Sequence, residues 1–370
     1  MAATYRSPGR VNLIGEHTDY NDGFVMPVAI DRHTIVTVEP RSDRRLVVRS
    51  RAYDEQVVLD LDALGHGLTG HWSDYVRGVA AVLERSCHRL GGAELTIDGD
   101  IPLGAGLSSS ASLEVAVGLA LLGAAGIAID KTALALVCQR AEHEFAGTRC
   151  GVMDQFVACH ARPGHALLLD TRSLAVEWLP LPESVALVVC NTMVRHALAA
   201  NAYNDRRADC EAGVKAIAAR IRGVHALRDV TPAMLEANRH ALPDRIFRRC
   251  RHVVTENGRV LQAADALRRG DLAAFGELMA ASHRSLRDDY EVSCPELDAM
   301  VECADSCGLA GVHGTRMTGG GFGGCTISLV DNGLVHEFRD ALAKQYRERT
   351  GITPDIYVCV PSQAGAVCPR

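Results

Sequence analysis

The segment Pro102-Leu103-Gly104-Ala105-Gly106-Leu107-Ser108-Ser109-Ser110-Ala111-Ser112 constrains this chain most, because it runs straight into an apolar helical pattern. Glycines remove the side chains that would keep an anion away from backbone N–H groups, and serines add hydroxyl donors. A helix starting there supplies unpaired N–H groups and the positive end of its dipole. Such a nest can hold a triphosphate without a lysine, and this one contains none. With no Walker A sequence in the chain, the common nucleotide-hydrolase fold is disfavoured. Taken alone, the segment reads equally well as a flexible turn with Ser108 or Ser109 as an N-cap.

Two acidic residues follow it. Asp154 comes just after Arg149-Cys150-Gly151-Val152-Met153, near the start of a short predicted helix. There it is either a dipole partner or a base for a substrate hydroxyl. Glu142 sits on a helical pattern and could bind Mg²⁺ together with a serine hydroxyl, since magnesium takes few carboxylates and keeps waters and phosphates. The competing reading puts Glu142 on a solvated face with His143 and Glu144.

Near the N-terminus, Asn12, Glu16, His17, Asp19 and Asn21 crowd into ten positions. Hydroxyl-rich ligands demand that density, because every buried hydroxyl needs a partner. A surface hairpin at Asp22-Gly23 would explain those two residues but not the cluster before them. A third loop, Met317-Thr318-Gly319-Gly320-Gly321-Phe322-Gly323-Gly324, satisfies G-x-G-x-x-G. A dinucleotide site needs a helix after that loop, whereas 325–330 reads as a strand, so the expectation is a loop supporting the neighbouring phosphate loop.

Bulk properties exclude several classes. A length of 370 residues exceeds what one core usually organises, which predicts two domains. A formal net charge of −6 gives no basic field for nucleic acid or anionic lipid. Residues 1–8 lack a signal peptide's basic start and apolar run, and no stretch approaches the roughly 18 apolar residues of a membrane span. The 13 cysteines include no Cys-x-x-Cys pair and are expected to be reduced thiols of a cytoplasmic protein.

Patterning predicts strands at 34–38, 46–50, 57–61, 94–98, 185–191 and 356–360, and a strand–loop–strand unit over 312–330. Helices are predicted at 72–90, 109–125, 131–146, from about 152, through most of 197–282 with breaks near 222 and 243, and at 333–349. The proline-spaced 179–183 is the expected boundary, giving units 1–180 and 181–370.

Together these motifs make the chain resemble the galactokinases of the superfamily named for galactokinase, homoserine, mevalonate and phosphomevalonate kinases (GHMP kinases). Residues 9–20 are similar to the galactokinase signature, 104–112 to the superfamily's ATP loop and 316–324 to its third motif. The likeness extends over essentially the whole chain. It implies an α+β fold of two domains, mixed sheets packed with helices, and an active site in the interdomain cleft. It also implies a cytoplasmic, ATP- and Mg²⁺-dependent enzyme acting on galactose, monomeric or at most homodimeric, without nucleic-acid or membrane partners.

By position, the resemblance makes Asp154 the catalytic base and Arg10 its electrostatic partner. It assigns sugar contacts to Glu16, His17, Thr18, Asp19 and Gly151, and to Tyr203 within Asn201-Ala202-Tyr203-Asn204-Asp205. Gly104, Ala105, Gly106, Leu107, Ser108, Ser109 and Ser110 would cradle the triphosphate, Ser110 and Glu142 would bind Mg²⁺, and Trp72 would lie near adenine. Only nine residues precede Arg10, fewer than this signature leads one to expect, which predicts weakened packing or oligomer contacts at that end. The rivals are another sugar 1-kinase, such as one for N-acetylgalactosamine, a non-catalytic galactose/ATP sensor, and a structural protein with fortuitous glycine loops.

Overall fold

A computed structural model describes residues 2–195 and 199–368. In chain order the first part contains β1 (Ala3–Asn12), β2 (Phe24–Val25), β3 (Pro27–Pro40), β4 (Arg45–Ser50), β5 (Glu55–Asp60), α1 (Asp74–Arg85) and β6 (Ala93–Gly99). Next come α2 (Ser109–Ala125), α3 (Lys131–Ala141), α4 (Met153–His160), β7 (His165–Asp170) and β8 (Ala175–Pro180). The remainder comprises β9 (Val185–Arg195), α5 (Ala199–Ala218), α6 (Pro232–Ala237), α7 (Asp244–Arg268), α8 (Leu272–Ser285) and α9 (Pro295–Ser306). It ends with β10 (Val312–Thr318), β11 (Gly323–Asp331), α10 (Val335–Thr350), β12 (Asp355–Cys359) and β13 (Ala366–Val367).

Three sheets result, with strand orders β13-β1-β3-β6-β4-β5, β10-β11-β9-β12 and β2-β7-β8. Every pairing is antiparallel except β4 with β6. The architecture is α+β with mixed sheets and packed helices, as expected. β1 pairs with β3 along most of its length and with the two-residue β13 at Tyr5 and Arg6.

Most predicted elements form, with instructive differences. The helix expected at 72–90 spans Asp74–Arg85 only, because Cys87 takes a left-handed φ of 64° and turns the chain away. Trp72 therefore lies in the loop before α1. The predicted start at 197 falls outside the described residues. The sheet ladder recruits β1, β2, β7, β8 and β13, whose short or proline-containing sequences carry little alternation, and α9 likewise forms without having been expected. The N-terminal cluster is not a surface hairpin: Glu16, His17, Thr18 and Asn21 are all buried.

Two cores matter for the site. One packs α1, α2, α3 and α4 against the six-stranded sheet through Val36, Val48, Val79, Val115 and Phe156. The other joins Ile14 and Val28 to Val260, Phe275, Cys325 and Leu329, so it spans both sides of residue 180. Burial of these side chains fixes the loop that ends β1 against the third loop.

Candidate active site

β1 delivers the first functional side chain. Its register shifts between Pro8 and Arg10, and at the intervening Gly9 a Cβ would meet Leu107 O at 2.8 Å. The glycine lets the strand press on the Gly104–Ser112 loop, where Arg10 N–H donates to Leu107 O at 3.1 Å. The Arg10 side chain donates Nη1–H to Gly106 O at 2.7 Å. Its Nε–H and Nη2–H meet Asp154 Oδ1 and Oδ2, each at 2.7 Å. This fork against a carboxylate is the strong, direction-fixing form of ion pair.

Ser108 ties Asp154 to the loop from the other side. It occupies the N-cap position of α2, but in the left-handed region (φ 58°) and without a side-chain cap. Its hydroxyl donates to Asp154 Oδ2 instead. The ordinary N-cap reading therefore fails, and the first N–H groups of α2 are not capped by Ser108. A non-glycine residue in this conformation is a local strain of the kind that gathers at functional sites.

The third loop braces the first. At Gly319 (φ 86°) a Cβ would lie 2.9 Å from Gly106 O, and at Gly324 (φ 89°) it would lie 3.0 Å from Ala105 O. Backbone rests on backbone, and the following segment is strand β11, which excludes the dinucleotide arrangement.

Around Asp154 opens a cavity of about 190 Å³, lined by Arg10, Glu16, His17, Asp19, Glu142, Thr148, Cys150, Gly151, Met153, Asp154, Tyr203, Gly319 and Gly320. Glu16 accepts from Gly319 N–H at 3.0 Å and pairs with the fully buried Arg316. Burial raises its pKa, against the opposing pull of Arg316. Asp19 accepts from Tyr20 N–H at 3.0 Å, and burial, then Asp154, raise its pKa to about 7. Gly151 is packed so closely that a Cβ would come 2.0 Å from the Asp19 carboxyl. His17, itself at φ 64°, hydrogen-bonds Tyr20 Oη through Nδ1 at 2.8 Å, and burial holds it neutral, well below the usual imidazole range. Tyr203 packs against His17 with ring centroids 5.4 Å apart.

Glu142 is buried rather than solvated, which overturns the surface-face reading. It opens a π turn over Glu142–Ala146, closed by Gly147 N–H on Glu142 O at 2.9 Å. Burial, then Asp154, raise its pKa to about 7, opposed by hydrogen bonds from Cys150, Gln155 and Ser110. Ser110, at the start of α2, and Glu142 therefore act on one another across the site. Two hard oxygen donors beside an anion nest suit Mg²⁺, which completes its octahedron with phosphate oxygens and water.

Two of the named residues lie outside this cavity. Thr18 does not line the cavity: its hydroxyl is turned into its own loop, 2.8 Å from Gly15 O and 2.6 Å from Phe24 O. Trp72 lines two neighbouring cavities, one shared with Leu103 and Ser109, and stacks on Tyr53 with centroids 5.6 Å apart and planes 6° apart. Sequence reasoning missed Thr148, Glu114, Gln155 and Arg316. Only Glu114 carried a usable signal, a lone charge at the head of the apolar stretch 115–122.

An acid gripped by arginine, between an anion nest and a cluster of hydroxyl-binding groups, defines a small-molecule kinase site. Residues 2–40 match the galactokinase galactose-binding signature. Residues 74–162 match the GHMP kinases N terminal domain and residues 263–348 the GHMP kinases C terminal family. A galactokinase of Roseiflexus sp. (strain RS-1) is 50% identical over 354 residues, covering 96% of this chain and 90% of that protein. The crystal structure of Lactococcus lactis galactokinase complexed with galactose superposes with a TM-score of 0.95 at 36% identity, covering 99% of this chain and 95% of that one. The mevalonate kinase of Methanococcus jannaschii, at 17% identity and TM-score 0.66 over 98% of this chain and 99% of its own, shares the fold. The chain belongs to the galactokinase family of the GHMP kinases.

Proposed function

We infer that this protein transfers the γ-phosphoryl group of ATP to the anomeric hydroxyl of galactose, giving galactose 1-phosphate and ADP. The observation that carries the reading is Asp154, held by Arg10 and Ser108 in a cavity that also receives Glu16, His17 and Asp19. Galactose O1 attacks phosphorus in line, its proton passes to an Asp154 carboxylate oxygen, and the bond to the β-phosphate oxygen breaks. Transfer of this kind is loose, so positioning and charge neutralisation outweigh base strength. Arg10 holds Asp154 in place and offers positive charge near the transferred group. Glu16, His17, Asp19 and Tyr203 meet the sugar, with Gly151 giving it room. Gly104 to Ser110 receive the triphosphate, and Trp72 lies beside the base. Ser110 and Glu142 would hold Mg²⁺, which would supply positive charge to neutralise the phosphates.

The cavity draws Arg10 to Asp154 from residues 1–180 and Tyr203, Gly319 and Gly320 from residues 181–370, which supports a cleft between two units divided near 180. Among the described residues no helix is long and apolar enough to cross a membrane. From the family resemblance alone we propose a cytoplasmic enzyme, a monomer or at most a homodimer. A coupled ADP-release assay with galactose, glucose and N-acetylgalactosamine tests the assignment. Galactose should be turned over fastest. Faster turnover of N-acetylgalactosamine would make this another sugar 1-kinase, and turnover of none would make it a sensor.

A further inference from the structure

Gln155, the residue after Asp154 on α4, is completely buried. Its single amide nitrogen lies 3.0 Å from Glu114 Oε2 and 2.6 Å from Glu142 Oε2. An amide nitrogen carries two protons, so each carboxyl can receive one. Glu142 Oε2 is also 3.3 Å from the donating Cys150 Sγ, and that oxygen is therefore committed inside the protein. Glu114 is likewise completely buried, on α2 one turn past Ser110, and its Oε1 has no hydrogen-bond partner. Neither does Gln155 Oε1. Two carboxyls and an amide are a costly way to fill a core that apolar side chains fill elsewhere. Their placement makes sense as a support for something they do not themselves touch.

We propose that Gln155 is a positioning residue for the divalent cation. Anchored on Glu114 through one amide proton, it fixes Glu142 Oε2 with the other and so leaves Glu142 Oε1 as the oxygen available to the cation. Magnesium tolerates little deviation from octahedral geometry, so a carboxylate free to rotate would cost affinity. Supporting groups of this kind typically contribute 10- to 100-fold in metal affinity. The inference rests on the proposed assignment of Ser110 and Glu142 to the cation.

The test reads binding. A β,γ-imido ATP analogue is titrated calorimetrically into the full-length protein with Mg²⁺ and again with EDTA, and the ratio of the two dissociation constants measures what the cation adds. Gln155→Met should lower that ratio about tenfold while EDTA-state and galactose affinities stay within about twofold. Should Gln155→Met fold poorly, Glu114→Leu/Gln155→Met replaces the whole bridge by apolar side chains and should show the same loss. A control, Glu142→Gln, should remove most of the Mg²⁺ effect. A wild-type ratio in Glu142→Gln would sink the metal assignment itself. A loss there with an unchanged ratio in the Gln155 variants overturns the positioning role alone. Equal weakening of galactose and Mg²⁺-nucleotide binding would reduce Gln155 to a packing residue and overturn it too.

Discussion

Asp154 combines two attachments that pull the same way: the Arg10 fork and the Ser108 hydroxyl both orient its carboxyl toward the cavity. Asp154→Ala should abolish turnover yet leave ATP binding intact, measured by coupled assay and calorimetry. Full activity in that variant would refute the base role. Arg10→Ala should lower kcat by about 10²- to 10³-fold, the range for losing one preorganised charge-stabilising donor, and an unchanged kcat would count against it. Asp19 carries a pH signature. Its pKa rises from 3.8 to about 7 because burial, then Asp154, disfavour the ionised form. Folding therefore carries no penalty from Asp19 below the unfolded value, a growing one between the two values, and the full one above about 7. The difference of about three units caps the penalty at roughly 4 kcal/mol. Asp19→Asn should raise the melting temperature at about pH 8, with the gain vanishing near pH 4. It should also weaken galactose binding, because a hydroxyl loses an anionic acceptor. A melting temperature unaffected at both pH values would show that Asp19 is not strained.

Glycine contacts set the spacing of loops that must lie backbone to backbone. Gly319→Ala adds a methyl 2.9 Å from Gly106 O at a φ of 86°, displacing the phosphate loop. The expected result is a raised KM for ATP and a loss of about 1–3 kcal/mol in chemical denaturation. Wild-type values for both would mean the two loops move independently. Two π turns act at the same scale: one starts at Glu142, and the other, Leu286–Tyr290, ends at Tyr290, whose hydroxyl meets Tyr20 Oη at 2.7 Å. Widened turns of this type gather at functional sites. Each turn sits at the end of a helix and directs a polar side chain inward, and no residue spacing announced it.

At the scale of the molecule, polar ties and a shared core join the two ends of the chain. Arg316 pairs with Glu16 and donates to Asn12 O at 3.1 Å, while Glu256 accepts from Gly15 N–H at 2.9 Å and from Arg259 Nε–H at 2.6 Å. Arg316→Met would leave the buried Glu16 without its cation and should cost about 3–5 kcal/mol. Because the second core crosses residue 180, urea unfolding should remain one transition by fluorescence and circular dichroism alike, and two separated transitions would contradict that. The sequence by itself determined the local chemistry: glycines and serines running into a helix can form an anion nest, and dense polar residues at 12–21 suit a hydroxylated ligand. Asp154, Glu142 and Arg10 were named from their motifs, but their being neighbours depends on a strand bulge at Gly9, a left-handed Ser108 and a π turn. Gln155 and Arg316 stayed hidden because each matters only through a partner far away in the chain. For Thr18 the converse holds: its motif is a sugar signature, while its hydroxyl closes a turn within its own loop. Local sequence dictates what a segment can bind. Which segments meet, and which polar groups are left facing the cavity, was decided only by burying the two cores together.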